Sequence, residues 1–147
     1  MVEKVRNAIF DGENPFNIIR TWMGEAKKTE LNDHDAIALS TVDKNGMPNV
    51  RMVLLRYILE DSFVFFSNYN SQKGKEIDFS GNISFLIHWK SLKRQIRVRG
   101  RVFKDKSDLS DKYYDGRGYL SKIGAWSSKQ SDILNSREDL MQNIEYY

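Results

Sequence analysis

Hydrophobic positions along the chain begin on a helical period and later turn strand-like. From Asn14-Pro15 onward, Phe16, Ile19, Met23 and Ala26 recur at three- and four-residue spacing, which is one face of an amphipathic helix. Asparagine caps such a helix and proline suits its first turn, so a helix is predicted to run to about Lys28. After Asn32-Asp33 the runs become strand-like: Ala36 to Val42, the turn Asp43-Lys44-Asn45-Gly46, then Asn49 to Ile58. Asn-Gly in that turn predicts a hairpin. Further strands are predicted over Phe63 to Asn68, Ile83 to Trp89 and Arg94 to Phe103, with a helix over Ser71 to Phe79. The last strand alternates, with Ile96, Val98 and Val102 on one face and Gln95, Arg97, Arg99 and Arg101 on the other. Helices over Ser107 to Tyr114 and Ser136 to Tyr147 follow. The second reaches the end of the chain without Gly, Asn or a basic last turn to cap it and is expected to be cut off rather than finished. Five strands without regular β-α-β alternation predict an antiparallel barrel, mainly β with peripheral helices.

At 147 residues the chain is expected to form a single domain spanning 1–147. With 40% hydrophobic and 29% charged residues it has a globular profile. The absence of cysteine excludes disulfides and thiolate metal sites. The opening MVEKVRNAIF carries no apolar run of a signal peptide, and stretches such as Phe63 to Phe66 are too short to cross a bilayer, so a soluble, cytoplasmic protein without membrane association is expected. The net charge of +3 is modest for a nucleic-acid binder. Lys90, Lys93, Arg94, Arg97, Arg99 and Arg101 nevertheless cluster, and on composition that cluster serves solvation first.

No metal site is predicted: the only histidines, His34 and His88, lie far apart, and His88, in a strand beside Trp89, reads as a hydrogen-bonded structural residue. Cationic and hydroxyl residues at strand ends and turns stand out instead. Arg51 and Arg56 share a strand, Ser67, Ser71 and Lys73 surround the next turn, and Arg117 and Ser121 come later. Arginine forks, lysine ammonium groups and hydroxyls suit phosphate dianions, although each such residue is ordinarily a solvated surface group.

The wording of the chain decides between these readings. Arg51-Met52-Val53-Leu54-Leu55, Phe65-Phe66-Ser67-Asn68, Ser71-Gln72-Lys73-Gly74, Arg94-Gln95-Ile96-Arg97-Val98, Tyr113-Tyr114-Asp115-Gly116-Arg117, Ser121-Lys122-Ile123-Gly124-Ala125-Trp126 and Ser128-Lys129-Gln130-Ser131 resemble, in order, the segments of pyridoxamine/pyridoxine 5′-phosphate oxidases. The resemblance covers nearly the whole chain. It implies an FMN-binding split β-barrel and a homodimer with flavin at the interface. Arg51, Ser67 and Lys73 would face the FMN phosphate and ribityl chain, with Ser71 and Gln72 in the same segment. Met52, Val53, Leu54, Leu55, Arg56, Phe66 and Gln95 would lie along the flavin, and Gln130 and Ser131 would reach flavin bound mainly by the other subunit. Arg56, Tyr113, Arg117 and Ser121 would bind the substrate's 5′-phosphate.

Several positions depart from the family pattern. Arg56 stands where lysine is usual, Gln72 where arginine is usual, and Phe66 where some members have tyrosine. The family's closing Trp-Gly-Gly strand and Arg-x-His segment do not occur in these residues, so no residue is assigned to catalysis. Either the chain is truncated or it is a shortened relative. The implied reaction is oxidation of pyridoxamine or pyridoxine 5′-phosphate to pyridoxal 5′-phosphate with dioxygen. One rival is a flavin reductase or flavin-binding protein of the same fold, against which Tyr113, Arg117 and Ser121 argue. The other is a β-barrel binding single-stranded nucleic acid through Arg94 to Arg101, with Trp89 and Phe103 as stacking partners. No nucleic-acid partner is expected.

Overall fold

The structure, a computed structural model, describes residues 14–147. The N-terminal stretch read above for a leader lies outside the described residues. Helix α1 (Pro15–Thr29) starts as predicted, with the Asn14 side chain accepting from Phe16 N. Strands β1 (Ala36–Val42) and β2 (Pro48–Ile58) form the expected hairpin. Gly46 takes a left-handed φ of 85° there, while the Asp43 carboxylate accepts from the backbone N–H groups of Asn45 and Met47.

Strand β3 (Phe63–Phe65) is shorter than predicted. The chain leaves the ladder because Asn68 folds the backbone into a turn, its side chain accepting from Asn70 N and its carbonyl from Ser71. Helix α2 (Gln72–Ser80), strands β4 (Asn82–Trp89) and β5 (Arg94–Arg101), and helix α3 (Leu109–Asp115) follow. Helix α4 (Tyr119–Ser127) was not predicted, and α5 (Arg137–Tyr146) ends the described chain. The strands make one five-stranded sheet in the order β3-β2-β1-β4-β5, with β1 antiparallel to β4 and β2 antiparallel to β3. This is the antiparallel split-barrel architecture expected from the sequence. No described helix is long and apolar enough to cross a membrane.

The backbone packs as two compact units, and the division falls inside β1, β2, β4 and β5. The first comprises the described residues through Ser40, Val50–Phe66 and Ser84–Arg99. It buries Ile19 and Ala26 of α1 against Ile37, Leu39, Leu55, Phe85, Ile87 and Trp89 of the strands. Edge-on ring contacts join Trp22 to Trp89 and Phe63 to Phe85, and Arg94 lies over the Trp22 ring while pairing with Glu25 at 2.5 Å. Trp89 is only 1% exposed, which removes it as a stacking surface for nucleic-acid bases. His88, by contrast, is exposed, because strand alternation turns it away as Trp89 turns inward; the structural role expected of it falls to Trp89, whose Nε1 donates to the His34 carbonyl at 2.8 Å. At the end of α1, Ser91 donates from both its N–H and its hydroxyl to Glu30, which holds the Glu30 carboxyl below its ordinary range.

The second unit comprises Thr41–Asn49, Ser67–Ile83 and Gly100–Tyr147. Its fully or nearly buried residues are Thr41, Ser71, Lys73, Glu76 and Ser127. Glu76 of α2 accepts from Thr41, from Asn49 at 2.6 Å and from Gln72 at 3.1 Å. Asp78 pairs with Lys104 at 2.8 Å, which lowers the carboxyl's pKa and raises the amine's, chiefly through that hydrogen bond.

Candidate functional site

The expected site residues divide between the units. In the second, Ser71 caps α2, accepting from Gly74 N while donating to the Asn68 carbonyl at 2.6 Å. An added Cβ on Gly74 would lie 2.2 Å from the Tyr69 carbonyl oxygen, so only glycine lets the 68–70 loop press against the start of the helix. Lys73, 9% exposed, donates to Ser71 Oγ at 3.2 Å and to Gln130 Oε1 at 2.8 Å. Gln130, from a segment 57 residues away, therefore meets Lys73 within its own chain. Ser131 beside it holds a left-handed φ of 70°, a conformation uncommon for residues other than glycine. An ammonium group, a capped helix N-terminus and serine hydroxyls are the donor set that suits a phosphate dianion. Gln72, exposed, is drawn to Glu76. Ser67 is half-buried, with its hydroxyl 3.4 Å from the Asn68 carbonyl.

Also in this unit, α3 and α4 are joined through Gly116, Arg117 and Gly118. Tyr113 is half-buried on the last turn of α3, and Arg117 N donates to the Tyr114 carbonyl at 3.1 Å. Ser121, exposed in the first turn of α4, donates its N–H to the Gly118 carbonyl at 2.9 Å. Arg117 and Ser121 thus flank one helix start whose cap is a glycine without a side-chain acceptor. Such an end leaves backbone donors for solvent or a ligand.

In the first unit, Arg51 is half-buried and reaches the Leu39 carbonyl at 3.4 Å. Met52 is exposed, Val53 and Leu54 are half-buried, and Leu55 belongs to the core. The β2–β3 register shifts between Leu55 and Tyr57, which leaves Arg56 as the extra residue of a bulge. Its Nη1 pairs with Asp35 Oδ2 at 2.9 Å. Phe66 meets Tyr57 edge-on at 6.1 Å. Gln95 is exposed on β5, on the face it shares with Arg97 and Arg99, while Arg94, Ile96 and Val98 are half-buried.

The family model for pyridoxamine 5′-phosphate oxidase matches residues 23–146 of this chain. The chain belongs to the pyridoxamine 5′-phosphate oxidase family. Among curated members, a pyridoxine/pyridoxamine 5′-phosphate oxidase of a Ruegeria species is 53% identical over 95% of this chain and 69% of its own length. One from Pelagibacter ubique is 48% identical over 97% of this chain and 69% of its own. Among solved structures, PhzG from Burkholderia lata in complex with tetrahydrophenazine-1-carboxylic acid has a TM-score of 0.88 at 25% identity, covering 94% of this chain and 69% of its own. A pyridoxamine 5′-phosphate oxidase-related, FMN-binding protein from Nostoc punctiforme has a TM-score of 0.67 at 16% identity, covering 88% and 72%, and shares the fold. Both of these curated relatives are named as oxidases, and this chain is similar to them over nearly its whole length.

Two residues with clear roles in the geometry escaped the sequence reading. Glu76 gathers Thr41, Asn49 and Gln72 around a buried carboxylate, and Asp35 engages Arg56 across 21 positions. A carboxylate amid helix-forming residues gives no local sign of burial, and of these contacts only that of Gln72 with Glu76, four positions apart on one helix, has a signal in the sequence. No group of His, Cys, Asp or Glu suited to holding a metal occurs among the described residues.

Proposed function

We propose that this chain is an FMN-dependent pyridoxamine/pyridoxine 5′-phosphate oxidase acting as a homodimer. The observation that carries the reading is the buried Lys73 at the capped N-terminus of α2, in a chain about half identical to oxidases of that name. Lys73, Ser67 and the start of α2 would hold the FMN phosphate together with Arg51, and the β2 segment Met52 to Arg56, Phe66 and Gln95 would lie along the ring. Gln130, already bonded to Lys73, and Ser131 would complete the cofactor's surroundings. Gln72 supports no phosphate charge where it bonds Glu76, so Lys73 carries a larger share of the phosphate's neutralisation.

The 5′-phosphate of the substrate would be taken by Arg117, Tyr113, Ser121 and Arg56. These residues bind and orient, and the carbon to be oxidised is positioned by anchoring the far end of the molecule. Bound FMN supplies a two-electron acceptor that dioxygen restores. In balance, pyridoxine 5′-phosphate and dioxygen give pyridoxal 5′-phosphate and hydrogen peroxide; the amine substrate takes up one water and releases ammonia in addition. Exposed Val50 and Met52 on β2, and Tyr119, Leu120 and Trp126 on α4, supply apolar surface for a second copy to cover.

The test is turnover by protein reconstituted with FMN. The expected result is one hydrogen peroxide per pyridoxal 5′-phosphate formed, with pyridoxamine 5′-phosphate favoured over pyridoxamine. Flavin binding without oxidation of either phosphorylated substrate would refute the assignment and favour a flavin reductase or binding protein.

A further inference from the structure

Arg56 occupies the bulge of β2, where the ladder to β3 gains its extra residue. A bulge re-aims the side chain it carries, and bulges gather next to functional sites. The guanidinium is one-third exposed, and Asp35, 17% exposed, holds its Nη1 at 2.9 Å. Both residues line an open groove of about 370 Å³, alongside Arg20 and His34.

What distinguishes this ion pair from an ordinary surface contact is the backbone beneath the carboxylate. Three successive carbonyls in the segment are each occupied: Asp33 accepts from Ala36 N at 2.9 Å, His34 from Trp89 Nε1 at 2.8 Å and Asp35 from Leu55 N at 2.8 Å. Trp89 is part of the buried core, and Leu55 immediately precedes Arg56. The backbone of Asp35 is therefore fixed to the strand that carries its partner, which keeps the carboxylate within reach of Arg56 when an anion approaches.

We propose that Asp35 is a specificity-determining residue that competes with the substrate's 5′-phosphate for Arg56, weakening the hold on substrate and product alike. This rests on the reading that Arg56 binds that phosphate. An incoming dianion meets a guanidinium already partly neutralised, and it meets the repulsion of a carboxylate held within reach. An arginine fork can serve two anions at once, so the pair need not break for the phosphate to bind, but binding is attenuated for as long as the carboxylate stays. Because the product keeps the phosphate, the same attenuation speeds its departure.

The test is equilibrium binding of pyridoxal 5′-phosphate and of unphosphorylated pyridoxal to the FMN-loaded protein, by titration calorimetry. Asp35→Asn, which keeps the shape and removes the charge, is expected to tighten pyridoxal 5′-phosphate roughly twofold to tenfold at low salt, to lose most of that gain at high salt and to leave pyridoxal unchanged. The gain should vanish in an Arg56→Ala background, and Asp35→Glu should restore wild-type affinity. Unchanged or weaker pyridoxal 5′-phosphate binding in Asp35→Asn, with Arg56→Ala weakened, overturns competition while leaving Arg56 as a phosphate ligand. Unchanged binding in Arg56→Ala overturns the reading beneath it.

Discussion

The two units bury opposite kinds of residue. In the first, Ile19, Ala26, Ile37, Leu39, Leu55, Phe85, Ile87 and Trp89 make an apolar interior between α1 and the sheet. In the second, the buried residues are Thr41, Ser71, Lys73, Glu76 and Ser127, every one polar or charged. Apolar burial stabilises a fold in proportion to area, whereas a buried ammonium or carboxylate costs free energy unless partners compensate it. The first unit therefore reads as the source of stability. The second holds polar and charged groups whose burial is compensated by the hydrogen bonds among Ser71, Lys73 and Gln130 and around Glu76, and on the function proposed above Lys73 is the group that would meet a ligand.

The widest separation between the units should come from Leu39→Ala. It empties space beside Phe85, its register partner on β4, and is expected to destabilise the protein by about 2 to 5 kcal/mol in chemical denaturation. A loss under about 1 kcal/mol would mean that this interior is not the stabilising one.

Arg117→Ala is the complementary change in the second unit. It should weaken binding of the phosphorylated substrate by about one to two orders of magnitude, through loss of a charge-assisted contact of roughly 1.5 to 3 kcal/mol, while unfolding shifts by no more than about 0.5 kcal/mol. FMN content should stay the same. An intact preference for the phosphorylated over the unphosphorylated vitamin would remove Arg117 from the site.

Lys73→Met, which keeps the aliphatic stem and deletes the ammonium group, should leave the stability of the flavin-free protein within about 1 kcal/mol of wild type, or raise it. Destabilisation as large as that of Leu39→Ala would erase the contrast between the units.

The smallest effect belongs to Glu30, whose pKa the two Ser91 hydrogen bonds lower from its ordinary value near 4.5. A carboxyl depressed in the folded state adds stability that is present above the unfolded pKa and lost as pH falls through the folded one. Glu30→Gln should therefore lower the melting temperature slightly at pH 7, and the difference from wild type should close as pH drops below the carboxylate range. A gap that persists at low pH would show that packing, not charge, ties Glu30 to Ser91.

Much of this organisation was legible because it is local. The α1 face, the Asn-Gly hairpin and the alternation of β5 are encoded by neighbours three, four or two positions apart. Helix α4 went unread because Gly118 caps it without a side-chain acceptor and Gly124 interrupts its interior, which hides the spacing of Leu120, Ile123 and Ser127. The start of α2 was placed correctly from Ser71, but Gln130, which meets Lys73, lies 57 residues away, and Asn49 and Thr41, which meet Glu76, lie 27 and 35 away, distances over which periodicity says nothing. The motif words carried Ser71, Lys73 and Gln130 into the candidate site without revealing their contacts, and Glu76 stands in none of those words. The contact of Asp35, in no motif, with Arg56 spans 21 positions and is visible only in the structure.

The most direct measurement of the central claim is the affinity of the flavin-free protein for FMN and for riboflavin, which differ only in the phosphate, in wild type and in Lys73→Met. The wild type is expected to prefer FMN by about tenfold or more, in line with a charge-assisted contact of roughly 1.5 to 3 kcal/mol, and Lys73→Met should lose most of that preference without weakening riboflavin. Equal affinity of the wild type for the two flavins, or a preference that survives Lys73→Met intact, would contradict the assignment of the buried lysine at the start of α2 as the phosphate anchor.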